Sequence, residues 1–353
     1  MSNSPRRVVG ICFDHMHIGD LLGKAQASDV YEVVGVYDTQ PERMAEVCDD
    51  LEILPQLQYT DWQQLLDATR PDLAIVCSPT AQHADWAERL AQRGIHILLE
   101  KPFAVSAEDA QRCIDAAENY GVQLAINWPL AWYPPHRTSR RMIAEGLIGD
   151  VIEVHYYDGN RGPQYHVHAK KEVENPVNVE DTWWFNPDAG GGSMLDYLGY
   201  GVTLATWMRD GELPTEVSAV THVPTQYRVD MQSVVVAKYA SGLSCFQTRW
   251  GTFTDPWINQ PQPFCGFVVV GTEGTIMSRD YADTVMIQTR ANPEATAIPV
   301  DEFTKNDIFT YLHDSLDQGH QVDGPCGPEI SLGAQRIADA AVASVKEGRP
   351  VRL

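Results

Sequence analysis

Through the first 125 residues four apolar runs recur, at 7–12, 32–38, 73–77 and 97–99, with stretches of helical spacing between them at 19–27, 41–51 and 82–93. Runs that lose the polar alternation of an exposed strand are covered on both faces, as in the interior of a parallel sheet. Strands alternating with helices in this way predict βαβ units, and so an α/β doubly wound parallel sheet over residues 1–125. Ligands of open α/β sheets lie outside the carboxyl ends of the strands. Glu100-Lys101-Pro102 follows the run Ile97-Leu98-Leu99, which places Lys101 at the mouth of that sheet. The plainer alternative is a surface salt bridge closing the strand.

After residue 125 the pattern changes. Segments 151–157, 216–222, 233–239, 243–250 and 267–271 read as longer strands separated by turns, the mark of a mostly antiparallel open-faced sheet in an α+β domain spanning 126–328. A terminal helix is expected at 329–346, stopped by Glu347-Gly348-Arg349-Pro350. The closing unit, 329–353, is expected to pack back on the first domain. A length of 353 residues suits two domains.

Composition excludes several classes of partner. The formal net charge is -22, which argues against nucleic acid and anionic membrane, since both demand basic patches. No apolar run approaches the roughly 20 residues of a membrane span, so a cytoplasmic protein with no membrane partner is expected. Seven cysteines without a CxxC pair suggest reduced thiols and no zinc cluster.

Glu100-Lys101-Pro102 stands in the same chain as Ser78-Pro79-Thr80 with His83, Gly190-Gly191-Gly192 with Asp196, and Glu347-Gly348-Arg349-Pro350-Val351. In this order and spacing they resemble the Gfo/Idh/MocA family, which includes glucose-fructose oxidoreductase, inositol dehydrogenases and dihydrodiol dehydrogenases. The resemblance covers nearly the whole chain. It implies a Rossmann domain followed by a sheet domain that carries the substrate site and the contacts of a homo-oligomer, a dimer or tetramer. It further implies hydride transfer between a nicotinamide cofactor and a sugar, inositol or related polyol.

Residue by residue, the resemblance assigns Ser78, Pro79, Thr80 and His83 to a loop beside the cofactor, joined by Glu100, Lys101 and Asn127. His83 by itself reads as a packed helix histidine. Asp38 ends the second strand, where a carboxylate accepts from both ribose hydroxyls and repels a 2'-phosphate. NAD is therefore expected over NADP, although Asp38 also suits a helix N-cap.

The main departure lies after strand one. The family's G-x-G-x-x-G is replaced by Cys12-Phe13-Asp14-His15-Met16-His17-Ile18-Gly19, leaving Gly19 as the one fingerprint glycine, with Phe13 and His15 filling the cofactor loop. Asp14 faces a pyrophosphate awkwardly. Either it turns outward while His15 or His17 meets phosphate, or the cofactor binds weakly or differently.

Asp196 and Tyr200 are four residues apart, on one face of the helix expected after the three glycines. Tyr200 takes the place of the family's usual histidine. The expected catalytic set is Lys101, which polarises the reacting oxygen, Asp196, which orients substrate, and Tyr200, which exchanges the proton. A phenol is a poor base unaided, and an ammonium such as Lys101 favours its ionised form. Trp128, Trp132, Trp183 and Trp184 offer apolar faces to a sugar ring, with core packing the alternative for at least half of such residues. Trp184 replaces a family arginine, which leaves Arg161 as a candidate for an anionic group. His166-Val167-His168 and His15-Met16-His17 each offer two imidazoles, for which no third metal ligand is identifiable; His166 and His168 read better as substrate contacts, and no metal is expected. Two other classes stay open: redox-neutral glycoside cleavage or epimerisation with recycled NAD, and a non-catalytic sugar sensor.

Overall fold

The computed structural model describes residues 4–174 and 182–353. The first domain runs β1 (Arg6–Ile11), α1 (His17–Gln26), β2 (Tyr31–Tyr37), α2 (Pro41–Asp50), β3 (Gln58–Tyr59), α3 (Trp62–Thr69), β4 (Leu73–Val76), α4 (His83–Ala91), β5 (His96–Glu100), α5 (Ala107–Tyr120) and β6 (Leu124–Asn127). Its six strands are parallel, in the order β3-β2-β1-β4-β5-β6. That is the doubly wound order whose topological switch point lies between β1 and β4. The apolar runs fill the centre because both faces are covered: Val8, Val9, Ile11 and all of β4 are fully buried. Each such Val, Leu or Ile side chain contributes about 1.5–3 kcal/mol relative to exposure.

The second domain follows with α6 (Pro134–Ala144), β7 (Val151–Asn160), α7 (Ser193–Met208), β8 (Glu216–His222), β9 (Gln232–Lys238), β10 (Leu243–Trp250), β11 (Gly266–Gly271), β12 (Gly274–Arg279), β13 (Thr284–Thr289) and β14 (Thr296–Pro299). The chain then closes with α8 (Ile308–Gln318), α9 (Pro328–Glu347) and β15 (Val351–Arg352). Nine strands form one sheet, β14-β13-β12-β11-β7-β10-β9-β8-β15. β7 and β10 run parallel, and the other described pairs are antiparallel. Among the described residues no helix is long and apolar enough to cross a membrane.

The last helix meets both domains. Gln335 and Asp339 accept from the backbone N–H groups of Ala104 and Ala107, just after Lys101. Further along, the Ser344 hydroxyl accepts from the Ala219 amide of β8. α9 thus clamps the segment that carries Lys101 against α7, and the site is built where the two domains meet.

Candidate active site

Two adjoining cavities open at the carboxyl ends of the parallel strands. The first, about 290 Å³, is bordered by Lys101, Asn127, Trp132, Asp196 and Tyr200. A larger one, about 730 Å³, is bordered by Phe13, Asp38, Pro79, Trp86 and Trp183. His15, His166 and Trp184 border both, so the turn after β1 forms the wall between them.

Glu100, Lys101 and Asn127 arrive together because β5 and β6 are in register, with Glu100 opposite Asn127. Asn127 Nδ2 donates to Glu100 Oε2 at 2.7 Å. Asp196 and Tyr200 come from the first two turns of α7, which the glycines launch. Gly192 has φ +111°, and a Cβ on Gly191 would meet the Trp184 carbonyl oxygen at 2.3 Å, so only glycines let the chain turn beneath Trp184. The Lys101 ammonium pairs with Asp196 Oδ1, both groups being buried. Trp250 Nε1, at the end of β10, donates to Asp196 Oδ2 at 2.9 Å. The same ammonium lies 5.2 Å from the Tyr200 ring centroid and 5.8 Å from that of Trp184, within the range of cation–π attraction.

This geometry corrects the expected activation of Tyr200. Lys101 pairs with Asp196 and lies over ring faces, while burial and the carboxylates of Glu100 and Asp196 push the phenol well above its usual range. Tyr200 is thus held as a neutral O–H donor.

At the far end of the larger cavity, Asp38 is buried at the tip of β2. Its Oδ2 accepts from the Phe13 amide at 2.7 Å and its Oδ1 from the Gln40 amide at 2.9 Å. Two amide bonds aim the carboxylate and leave it lone pairs for ribose hydroxyls. It does not cap α2, whose N-cap is Gln40. Asp14 pairs with Arg43 at 2.5 Å, and burial pushes its carboxyl up to about 6 even against that guanidinium. Pairing and partial protonation both reduce its repulsion of a phosphate. The Asp38 end thus offers carboxylate lone pairs suited to a ribose, with His15 standing between that cavity and the Lys101 pocket.

Comparison with known proteins gives the family of both domains. Residues 7–128 match the model of an oxidoreductase family with an NAD-binding Rossmann fold, and residues 136–277 match the Gfo/Idh/MocA C-terminal domain. The chain belongs to the Gfo/Idh/MocA family of oxidoreductases. Its relatives include an NADP(+)-dependent D-xylose 1-dehydrogenase of Haloferax volcanii, 27% identical over 95% of this chain and 96% of that protein. A 1,5-anhydro-D-fructose reductase of Ensifer adhaerens is 27% identical over 90% and 91% of the two chains. In fold, the chain is similar to the aldose-aldose oxidoreductase of Caulobacter crescentus solved with glycerol, with a TM-score of 0.79, 17% identity and coverage of 99% and 100%.

Within this Gfo/Idh/MocA chain, several residues expected at the site lie elsewhere. Gly19 sits inside α1 and borders neither cavity; its missing Cβ admits the His168 ring, whose Nδ1 would be 1.6 Å from that atom. His168 consequently faces the larger cavity, 3.5 Å from Asp50, and not Lys101. Trp128 is core: its indole N–H donates to Ser331 and its ring supports Tyr200 edge-on at 5.6 Å. Arg161 is taken up by Asp255 and Glu172. Trp183 stacks on Trp184 at 4.0 Å and borders the larger cavity.

Of the four residues assigned to the cofactor loop, Pro79 borders the larger cavity. Ser78 and Thr80 are buried, and the His83 ring nitrogens lie 3.1 and 3.0 Å from the carbonyl oxygens of Ser78 and Phe103, with one N–H to donate to either. That ring ties the loop after β4 to the segment after Lys101, a positioning role. Trp132 and His166 do border the first cavity.

The family's sheet domain also adds residues not foreseen: Asp158, Asn160, Lys170, Asp280 and Tyr281 complete the wall of the first cavity. Tyr156 donates to Asp158 at 2.8 Å, and burial with Asp280 nearby pushes the Asp158 carboxyl well up. A signal for Asp158 existed in the sequence. It alternates with Val154 and Tyr156 on the core face of β7, an acid at a position where apolar residues are the rule. Asp280 had no such signal, being held by His136 at 2.7 Å from a distant helix.

Proposed function

We propose that the protein is an NAD-dependent oxidoreductase acting on a sugar, inositol or related polyol, and that carbonyl reduction is the direction its site best serves. The buried constellation of Lys101, Asp196 and Tyr200, on one wall of a cavity rich in polar groups, carries this reading. A nicotinamide dinucleotide supplies the hydride when bound. Lys101 polarises the carbonyl oxygen, Asp196 fixes the ammonium that does so, and the neutral Tyr200 hydroxyl gives up its proton to the developing alkoxide. Proton transfer from a positioned side chain contributes about 10²–10⁴ in rate. Asp158, Asp280 and Lys170 offer partners for further hydroxyls, with Trp132 as an apolar wall.

The test is a panel of aldoses, ketoses and inosones assayed for consumption of NADH and NADPH. Turnover with at least one supports the reading. Cleavage or epimerisation without net cofactor change would favour recycling, and saturable sugar binding without turnover would favour a sensor. Asp38 supports NAD over NADP: Asp38→Ala should raise the Kd for NAD about tenfold by titration calorimetry, at the scale of one or two charge-assisted hydrogen bonds, and should raise that for NADP less. An equal loss for both would remove the discriminating role of Asp38.

Seven free cysteines, most of them buried, support a cytoplasmic setting. Copies of the chain pair through the uncovered face of the nine-stranded sheet, where Val220 is 68% and Leu243 56% exposed. Light scattering should return the mass of a dimer or tetramer; a monomer at micromolar concentration would contradict this.

A further inference from the structure

The turn between β1 and α1 carries two histidines, and the fold sets both against the carboxylate that ends β5. His17 Nδ1 lies 2.8 Å from Glu100 Oε1, and His15 Nε2 lies 3.9 Å from the same oxygen. One donor atom from each of the three residues falls within 4.8 Å of the others. Three donors on a tetrahedral ion with bonds of about 2.1 Å stand roughly 3.4 Å apart, so closing this group around an ion takes shifts of about 1 Å.

A second observation points the same way. His15 is buried, and its Nε2 has no hydrogen-bond partner among the described residues. Such a group is costly to leave unpaired, and the His17–Glu100 contact does nothing to relieve it. Asn127 holds Glu100 Oε2 and so leaves Oε1 to the histidines, the outer hydrogen bond that ligating carboxylates keep.

We propose that His15, His17 and Glu100 form a binding site for one divalent transition-metal ion, of the zinc, cobalt or iron(II) class, beside the Lys101 pocket. Two imidazoles and one carboxylate with positions left open are the donor set of catalytic zinc and non-haem iron centres. Magnesium and calcium, which prefer oxygen ligands, suit it poorly. Both histidines border the first cavity, so the free coordination positions face the substrate pocket. Ligation through Nε2 places the His15 proton on Nδ1 and gives up the long 3.2 Å contact from the His17 amide.

The test uses the full-length chain, its metal content measured as purified, then stripped with a chelator and titrated with cobalt(II). The wild type should take up one equivalent, with visible ligand-field bands that zinc displaces. His15→Asn, His17→Gln and Glu100→Gln should each raise the cobalt Kd about 100-fold or more. Absence of saturable cobalt binding by the wild type overturns the site, whatever the variants do. Bands unchanged in all three variants overturn it as well, by locating the metal at other histidines. Binding is read without turnover, so failure of the oxidoreductase reading in the sugar panel leaves this outcome distinct.

Discussion

Lys101→Met lowers kcat by about 10³, within the range for loss of a group that stabilises transition-state charge. Methionine keeps the length of the stem but leaves Asp196 buried without its counter-charge. Removing one partner of a buried ion pair costs about 3–5 kcal/mol of stability, so the variant also unfolds at lower denaturant. The two effects separate in Lys101→Met/Asp196→Asn. An amide still accepts the Trp250 N–H and no longer strands a charge, so the double variant regains most of the stability and none of the activity. Steady-state kinetics and urea unfolding of the three proteins check this. Full activity in a folded Lys101→Met variant would remove Lys101 from the catalytic set.

Tyr200→Phe lowers kcat for carbonyl reduction by about 10²–10³ with little change in KM, the pattern of an interaction made mainly in the transition state. The ring keeps its edge-on contact with Trp128, and stability stays within about 1 kcal/mol because only a hydroxyl is lost. The pH profile is the sharper readout. Burial and the neighbouring carboxylates raise the phenol, so the donating O–H persists as pH rises past the usual tyrosine range. Reduction by the wild type should therefore show no loss assignable to Tyr200 between pH 7 and about 10. An alkaline limb inside that window that disappears in Tyr200→Phe would mean an activated phenol instead.

The order of the motifs gave away the family, and the apolar runs at 7–12, 32–38, 73–77 and 97–99 lie on β1, β2, β4 and β5 to within a residue or two at either end. Burial on both faces writes itself into consecutive residues, so such strands are legible without tertiary knowledge. The short edge strands β3 and β14 and the helix α8 left weaker marks, since edge strands and partly exposed helices depend on their neighbours for stability. Lys101, Asp196 and Tyr200 were legible as candidates because each stands in a local pattern: the end of a buried strand, and two positions four apart on a helix.

Their protonation and partners were not legible. Whether Lys101 activates Tyr200 or neutralises Asp196 depends on distances between β5 and α7, elements some 95 residues apart in sequence. Long-range packing likewise decided that Trp128 is a floor under Tyr200, that Arg161 is spent on Asp255, and that Gly19 makes room for His168. It also brought Glu100 to the two histidines that local spacing could offer only as a pair. Sequence by itself determined the family and the buried strands of the first domain, and it offered Lys101, Asp196 and Tyr200 as candidates, because those follow from periodicity and local order. Tertiary structure alone decided which charges meet, because Coulomb and hydrogen-bond energies depend on separation in space.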